Sequence, residues 1–251
     1  MLAKRIIPCL DIKGNQVVKG VRFEDLAVVA DPIERARHYD QLGADELCFL
    51  DVRASIDGSD LLIRLMERVA EEISIPFCVG GGVKSASDGF NLLRAGADKV
   101  AVNSAALSRP ELIDELAAEF GSQCVVLSVD TRATDGDWMV TTHGGTRLHE
   151  RRCLDWIDEA TSRGAGEILL NVINADGTRD GFATAITAEV ADRVRVPVIA
   201  SGGAGSAQDF VTLFEHTQAS AALAASIFHD DSCSPNDIKM ALKSRGIPVR
   251  L

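Results

Sequence analysis

Short runs rich in valine, isoleucine and leucine alternate with segments of helical periodicity along the whole chain. The runs lie near residues 5–11, 46–51, 75–79, 98–103, 124–130, 167–173, 196–201 and 220–225. Continuous apolar runs joined by amphipathic segments are typical of parallel strands that are buried on both faces. Eight such units in 251 residues predict an α/β fold of the (β/α)8 TIM barrel type, with residues 1–251 in a single domain. A doubly wound open sheet is the alternative.

Several segments between the runs carry helix boundaries. Amphipathic stretches cover residues 31–43, 60–73 and 109–121. In two places, "ADP" and "SRP", an acid or a serine stands just ahead of a proline, which is typical of a first helical turn. Glycines that are typical of helix ends follow the segments at Gly43, Gly96, Gly121 and Gly164.

The chain also matches itself at an offset of 121 residues. The matched pairs are "GADELCFL" (43–50) with "GAGEILLN" (164–171), "SIPFCVGGGV" (74–83) with "RVPVIASGGA" (195–204), and "VAVNSAAL" (100–107) with "AALAASIF" (221–228). Asp11 and Asp130 pair at nearly the same offset, 119. Four matches in one order indicate an internal duplication. We therefore interpret the chain as two half-barrels, approximately residues 1–120 and 121–251, related by a pseudo-twofold axis.

Charge and cysteine usage exclude several classes of function. The net charge of −11 argues against nucleic acid or an anionic membrane as the main partner. No apolar run reaches the about 18 residues of a transmembrane helix, and the N-terminus meets an acid and a turn too early for a signal peptide. The six cysteines form no CxxC pair and the five histidines have no ligand spacing, so we expect neither a metal nor a cofactor. A reducing, cytoplasmic setting fits best.

Two strand-like runs end on a carboxylate. "RIIPCLD" ends at Asp11 and "CVVLSVD" ends at Asp130. Catalytic groups of such barrels lie at the C-terminal ends of the strands, so strands 1 and 5 should place these acids opposite each other across the barrel mouth. One general acid and one general base acting on a single substrate need this arrangement. The alternative is that both acids only accept backbone N–H bonds in loops.

Glycine-rich loops follow strands 3 and 7, in "VGGGVKS" and "SGGAGSA", and each opens a helix. Backbone N–H groups at such a place can hold a phosphate when no bulky side chain intervenes. The loops after strands 7 and 8 are the recurrent phosphate site of these barrels, and the repeat predicts a second site after strands 3 and 4. Two such sites imply a long substrate with a phosphate at each end. Tight turns without a ligand are the alternative.

Four long charged side chains stand at the other end of the strands. Strands 1, 2, 4 and 6 begin at Arg5, Glu46, Lys99 and Glu167. In one barrel these side chains would converge on the N-terminal mouth. Physical reasoning alone favours a salt-bridged plug that closes the barrel floor.

Motifs from the whole chain resemble one family. They are "KRIIPCLD", "VVKG", "FCVGGGVKS", "GADKVAVNS", "RGAGEILLN", "DGTRDG", "IASGGAG" and "ALAASIFH". Together they resemble the cyclase subunits of imidazole glycerol phosphate synthase in histidine biosynthesis. The resemblance implies that ammonia adds to the ribulosyl carbonyl of the bisphosphate N′-(phosphoribulosyl)formimino-aminoimidazole carboxamide ribonucleotide (PRFAR). Ring closure and elimination would then release imidazole glycerol phosphate and the carboxamide ribonucleotide AICAR.

The resemblance also implies roles for individual residues. Asp11 and Asp130 match the two acid–base carboxylates. The phosphate sites match Gly82, Asn103 and Ser104 on one side and Gly177, Gly203, Ala225 and Ser226 on the other. Residues expected around the rest of the substrate are Lys19, Asp51, Asn171 and Asp176. The resemblance implies that the four floor charges form the gate of an ammonia channel; they are Arg5, Glu46, Lys99 and Glu167. It also implies that a glutaminase subunit docks on the same face of the barrel, at Asp45, Asp98 and Gln123.

The chain departs from the family pattern in three places. Arg53 stands where threonine is common, "FEDLAVVADP" is an unusually apolar loop after strand 1, and "HTQASAALAAS" replaces the usual lead into strand 8. None of these changes removes a proposed catalytic group. Two other functions stay open at this stage: the sister isomerase of the pathway, which has no ammonia to admit, and a non-catalytic barrel that binds a phosphorylated ligand. A cyclase homologue that serves another amidation pathway is a further alternative.

Overall fold

The computed structural model of the chain describes residues 2–14, 16–21, 24–52 and 59–251, without the side chains of residues 19–21, 24–29 and 59. The strands in this part are β1 (Arg5–Lys13), β2 (Gln16–Val21), β3 (Glu24–Ala30), β4 (Leu47–Asp51), β5 (Phe77–Gly80), β6 (Lys99–Val102), β7 (Val125–Thr134), β8 (Asp137–Thr142), β9 (Arg147–Arg152), β10 (Glu167–Val172), β11 (Val198–Ser201) and β12 (Ala221–Ala224). The helices are α1 (Pro32–Gln41), α2 (Ser59–Ala70), α3 (Ala86–Arg94), α4 (Ser104–Ser108), α5 (Glu111–Phe120), α6 (Cys153–Ser162), α7 (Thr184–Arg193), α8 (Ala207–His216), α9 (Ser226–His229) and α10 (Pro235–Ser244).

Eight of these strands pair in parallel and close into a barrel. From β1 the order runs through β4, β5, β6, β7, β10, β11 and β12, and β12 pairs with β1 again. Every one of these eight strands therefore has a barrel neighbour on each side, and each crossover contains a helix, as parallel pairing requires. The predicted (β/α)8 barrel is confirmed. The open sheet is wrong, because it would leave two of the eight strands at an edge.

The two strands that carry the predicted catalytic acids are longer than the others and leave the barrel at their C-terminal ends. Past the barrel, β1 turns back on β2 and β3, and β7 turns back on β8 and β9, all in antiparallel pairs. Asp11 and Asp130 were predicted to end their strands, and this detail is wrong. Asp11 lies inside β1, where it pairs with Val18 of β2. Asp130 lies inside β7, one residue before the first residue that pairs with β8.

The segment after strand 1 was interpreted as an apolar loop, and the structure corrects this too. Most of "FEDLAVVADP" forms β3, whose backbone pairs with β2. Its apolar composition is that of a strand, which the loop interpretation overlooked. Gly14, at φ 62°, supplies the left-handed residue of the turn that brings β2 back onto β1. Arg53 lies outside the described residues.

Helix boundaries follow the sequence closely. Asp31 caps α1 by accepting hydrogen bonds from the backbone N–H groups of Ile33 (2.9 Å) and Glu34 (3.1 Å). Ser108 does not cap α5 as expected, since it closes the short helix α4 and its hydroxyl donates to Ser104 O at 3.0 Å. α5, the second of the two helices between β6 and β7, begins only at Glu111.

Two separate apolar cores follow from the alternation of side chains along each strand. On β1, Ile6, Leu10 and Ile12 point outward and pack under the helices, whereas Ile7 and Cys9 point into the barrel. The same alternation places Arg5 below Ile7 and Asp11 above Cys9 on the inner face. The inward-facing side chains of β1 therefore form a line from the barrel floor, through the interior core, to the barrel mouth.

Candidate active site

A cavity of about 550 Å³ lies at the C-terminal mouth of the barrel. Both predicted catalytic acids line it, Asp11 from β1 and Asp130 from β7. These are the first and fifth strands of the closed ring, so the two carboxylates approach the cavity from opposite walls. The structure thus brings together the pair that the sequence predicted.

Asp130 is buried and held by two side-chain amides. Asn103 Nδ2 donates to its Oδ2 and Asn171 Nδ2 donates to its Oδ1, both at 2.9 Å. Burial raises the pKa of the Asp130 carboxyl. The hydrogen bonds from the two side-chain amides counteract that rise because they stabilise the charged form. Asn103 was expected at a phosphate site and Asn171 around the rest of the substrate, and here both also orient the Asp130 carboxylate.

Asp11 has a different environment. The cysteine two residues earlier, Cys9, places its Sγ 3.9 Å from Asp11 Oδ1. Burial, and then the negative charge of Asp176, raise the pKa of Asp11 to about 7, while the thiol of Cys9 opposes the rise. A carboxyl with a pKa near neutrality can both give and take a proton, which is the property that acid–base catalysis needs.

Glycine-rich loops form two opposite rims of the cavity. One rim joins β5 to α3 through Gly81 and Gly82, and the other joins β11 to α8 through Gly202 and Gly203. All four glycines have φ between 75° and 99°. At Gly203 a Cβ atom would lie 2.0 Å from Gly181 O, so the backbone there approaches another loop more closely than a side chain allows.

The two rims share one local design. Both helices begin with a capping box, in which a serine hydroxyl and an aspartate three residues later satisfy each other's backbone N–H groups. The pairs are Ser85 with Asp88 and Ser206 with Asp209. Each rim is completed by the start of the next short helix, at Ser104 of α4 and Ser226 of α9.

The other predicted substrate residues can be placed as follows. Asp51, Asp176, Gly177 and Ala225 line the same cavity as the two acids and the two rims. Lys19 lies in β2, and its side chain is outside the described part of the structure.

Sequence reasoning missed several polar residues that line the cavity. They are Lys84, His143, Arg179 and His229. His143 reaches the mouth because it sits at the tip of the β8–β9 hairpin with φ 54°, and the hairpin itself was not predicted. His229 is fixed from outside the barrel, since its Nδ1 lies 2.7 Å from the hydroxyl of Tyr39 on α1. Three of these residues belong to quoted motifs: Lys84 to "FCVGGGVKS", Arg179 to "DGTRDG" and His229 to "ALAASIFH".

The four charges predicted at the barrel floor meet in one closed ring. Arg5 pairs with Glu46 and Glu167, and Lys99 Nζ lies 3.0 Å and 2.7 Å from the same two glutamates. Glu46 is 2% exposed and Glu167 4% exposed. Burial disfavours the charge of Lys99, yet the two glutamates outweigh burial and raise its pKa. We call Arg5, Glu46, Lys99 and Glu167 the floor ring.

The three residues expected at a docking surface differ in exposure. Asp98 and Gln123 are exposed on the N-terminal side of the barrel, where Asp98 accepts the Phe77 N–H at 2.9 Å. Asp45 is 6% exposed, and its carboxylate accepts hydrogen bonds from Ile6 N at 2.9 Å and Lys239 Nζ at 2.7 Å. Asp45 therefore has the environment of a buried ion pair between α10 and the barrel.

The described residues form neither a metal-binding cluster nor a membrane-spanning helix. No group of three or more histidine, cysteine or acidic side chains in the described ranges is arranged to hold a metal ion. Among the helices that the structure describes, none combines the length and apolarity needed to cross a membrane. All six cysteines are free thiols.

Comparison with known proteins agrees with this geometry. A family model described as "Histidine biosynthesis protein" matches residues 5–234. The chain is 52% identical over 252 residues to imidazole glycerol phosphate synthase subunit HisF of Halalkalibacterium halodurans. It is 50% identical over 252 residues to the HisF subunit of Streptococcus sanguinis and 49% identical over 251 residues to that of Flavobacterium johnsoniae. Each alignment covers 100% of this chain and 100% of the relative.

These matches favour the cyclase over the sister isomerase and over a non-catalytic barrel. They extend across the entire barrel, and so include both carboxylates, both rims and the floor ring. The chain therefore belongs to the histidine-biosynthesis protein family and, within it, to the HisF cyclase subunits of imidazole glycerol phosphate synthase, which are enzymes.

Proposed function

We propose that the cavity binds PRFAR and, with ammonia as the second substrate, converts it to imidazole glycerol phosphate and AICAR. The observation that carries this proposal is the placement of Asp11 and Asp130 in one cavity, between two glycine-rich rims. Addition of ammonia to a carbonyl, loss of water and ring closure all move protons, so a pair of carboxylates suits the reaction.

The two rims would hold the two phosphates of the substrate. One rim offers Gly82, Asn103 and Ser104, and the other offers Gly177, Gly203, Ala225 and Ser226. Backbone N–H groups in such loops attract anions without a cationic side chain. This explains how a protein of net charge −11 can bind a bisphosphate. Asp51, Asp176 and Lys19 would surround the central part of the substrate.

The two carboxylates would divide the proton transfers. Asp11, with a pKa of about 7, is suited to give a proton to the departing carbonyl oxygen and to recover one in a later step. Asp130, whose charged form is stabilised by Asn103 and Asn171, is suited to accept a proton from the incoming nitrogen. Both groups stay in contact with the same bound substrate throughout.

Ammonia would enter through the barrel from the opposite end. Exposed to water it is protonated and loses its nucleophilic lone pair, so a sealed route has a physical purpose. The floor ring would act as the gate, and the apolar interior above it would be the wall of the passage. Opening the gate requires at least one of the ion pairs of Lys99 or Arg5 to break.

The source of the ammonia would be a glutaminase subunit that docks on the N-terminal face, in the cytoplasm. The relatives are themselves described as subunits, which supports an assembly of more than one chain. Asp98 and Gln123 present exposed polar groups on that face. Asp45 would support the docking surface from beneath, through its ion pair with Lys239.

The proposal is tested by mixing the purified chain with PRFAR and an ammonium salt and following ultraviolet absorbance. We expect AICAR to form at a rate that rises with the concentration of free ammonia, and no AICAR when a potassium salt replaces ammonium. Turnover of the isomerase's precursor without ammonia would contradict the proposal. Binding of PRFAR without any conversion would contradict it as well, because it would indicate a non-catalytic barrel.

A further inference from the structure

Three of the six cysteines lie side by side on the inner wall of the barrel. Cys9 of β1 is paired in register with Cys48 of β4, which in turn is paired with Cys78 of β5. All three belong to the interior core, and none is more than 4% exposed. The in-register pairing of their three strands places the thiols next to one another on the inner wall. We call Cys9, Cys48 and Cys78 the thiol row.

The thiol row connects the floor ring to the catalytic cavity. At its lower end Cys78 is in register with Lys99, and Glu46 precedes Cys48 by two residues, so it lies below Cys48 on the inner side. At its upper end Cys9 lines the cavity, with its Sγ 3.9 Å from Asp11 Oδ1. The row thus begins at the gate and ends at a catalytic carboxylate.

The opposite wall of the barrel has a different composition. At the internal offset of 121 residues, Leu169 and Ile199 stand where Cys48 and Cys78 stand on the first half. Both are buried in the same interior core. Ser128, two residues before Asp130, is the counterpart of Cys9. Near the floor, the first half is lined by thiols and the second by aliphatic side chains.

This asymmetry matters for a small polar molecule that crosses the interior. Ammonia loses its hydrogen bonds to water when it enters an apolar passage, and an unpaired polar molecule there is costly. A thiol is a weak donor and a weak acceptor, so it can replace part of that lost hydration without holding the molecule tightly. A carboxylate or an amide at the same place would bind ammonia more strongly and slow its passage.

We propose that the thiol row is a binding track for neutral ammonia, which carries it along the first half-barrel from the floor ring to the Asp11 side of the cavity. The inference rests on the proposed function, because it presupposes that ammonia crosses the barrel. It adds the path that ammonia takes and the side of the substrate at which it arrives.

The acidity of the thiols is compatible with this role. An ordinary cysteine, with a pKa of about 8.5, is acidic enough to protonate some of the ammonia that touches it. The neighbouring thiol of Cys48, and then burial, raise the pKa of Cys78, and the pKa of Cys48 is also well above its ordinary value. Both thiols therefore keep their protons, and ammonia beside them stays neutral and nucleophilic.

The test compares two sources of ammonia in the complex with the glutaminase subunit. Cys48→Val and Cys78→Val remove the thiol while keeping a side chain of similar size, and Cys48→Ser and Cys78→Ser restore a donor. The matched control is Cys153→Val, because Cys153 is equally buried but packs in α6, outside the interior core. AICAR formation is measured with glutamine and, separately, with an ammonium salt that reaches the cavity directly from its mouth. Thermal unfolding of each variant checks that it is folded.

We expect each valine variant to lower glutamine-driven turnover by about fivefold, the effect of one lost weak hydrogen bond. Ammonium-driven turnover should not change, and glutamine consumed per AICAR formed should rise above that of the wild type. The serine variants and Cys153→Val should keep the wild-type ratio of the two rates. Equal losses with both sources, or identical behaviour of valine and serine variants, would overturn the track. Absence of ammonium-driven turnover in the wild type would instead overturn the proposed function.

Discussion

Asp11 and Asp130 stand on opposite walls of one symmetric barrel, yet their surroundings differ. Asp130 is fixed by an amide on each side, whereas Asp11 has a thiol below it and a second carboxylate, Asp176, near it. Two amides therefore orient the Asp130 carboxylate, whereas burial and Asp176 raise the pKa of Asp11 to about 7. Two comparable strand positions in one barrel therefore have different chemical environments.

Neighbouring strands explain this difference. Asp130 on β7 lies between β6 and β10, which supply Asn103 and Asn171. Asp11 on β1 lies between β12 and β4, whose corresponding residues are Ala225, just before α9, and Leu50. Neither can donate a side-chain hydrogen bond. The strands beside Asp130 therefore supply two amides, and those beside Asp11 supply none at these positions.

The largest effect is expected from removing either charge. Asp11→Asn and Asp130→Asn should each lower kcat by about 10²–10⁴-fold, the usual contribution of a positioned acid or base. Binding of PRFAR, measured by calorimetry, should change little because the rims are untouched. Asp114→Asn serves as the control, since Asp114 pairs with Arg163 on the outer surface. A near-normal rate in either active-site variant would show that the acid–base assignment is wrong.

An intermediate effect is expected when the environment of one acid is exchanged for that of the other. Asn171→Leu gives Asp130 the neighbour that Asp11 has, so the pKa of Asp130 should rise. The loss of one hydrogen bond to a charged group should lower kcat/KM by about 10–100-fold. Leu50→Asn is the reciprocal change and should lower the pKa of Asp11 from its value of about 7.

Both shifts can be measured by carbon NMR titration of the aspartate carboxyl groups in the free enzyme. Asn91→Leu, an exposed asparagine of α3, controls for the loss of an amide elsewhere. If Asn171→Leu left the titration of Asp130 unchanged, the amides would be serving the substrate alone. If Leu50→Asn left Asp11 unchanged, burial and Asp176 would account for its pKa without the neighbouring strand.

The smallest effect concerns stability and has a defined pH dependence. The pKa of Asp11 is about 7 in the folded protein and about 3.9 in an unfolded chain, so folding takes up a proton between these values. Stability from this group is therefore greatest at low pH and is lost as the pH rises towards 7. Asp11→Asn should raise the free energy of unfolding at pH 8 by about 1–3 kcal/mol, and by less at pH 5.

Thermal or urea unfolding of Asp11→Asn and of the wild type at the two pH values measures this difference. Asp114→Asn again provides the comparison, since its carboxylate lies outside the barrel interior. A gain of equal size at both pH values would mean that the charge of Asp11 is not the cause.

Much of the site was predictable because strands alternate. Once "RIIPCLD" is taken as a barrel strand, a period of two puts Arg5, Ile7, Cys9 and Asp11 on one face. The strand order then places Asp130 on the opposite wall, and the glycine-rich loops at the mouth. Local sequence was sufficient for each of these steps.

The errors have a common origin in pairing between strands, both within the hairpins and across the barrel. The acids were placed at strand ends because the outer hairpins were taken as loops, and only pairing with β2 and β8 extends β1 and β7 beyond the barrel. The proximity of Cys9, Cys48 and Cys78 was not predicted. Their contact depends on the register of β1, β4 and β5, which no single segment encodes.

Periodicity and glycine placement are local properties, and they were enough to predict the barrel, the candidate catalytic pair and the inward face of each strand. The contacts between side chains of different strands depend on the tertiary structure. They include the amides that donate to Asp130, the thiols beneath Asp11 and the ion pairs of the floor ring. These contacts join residues far apart in the chain, and their hydrogen bonds and charges form only when the closed barrel sets the register.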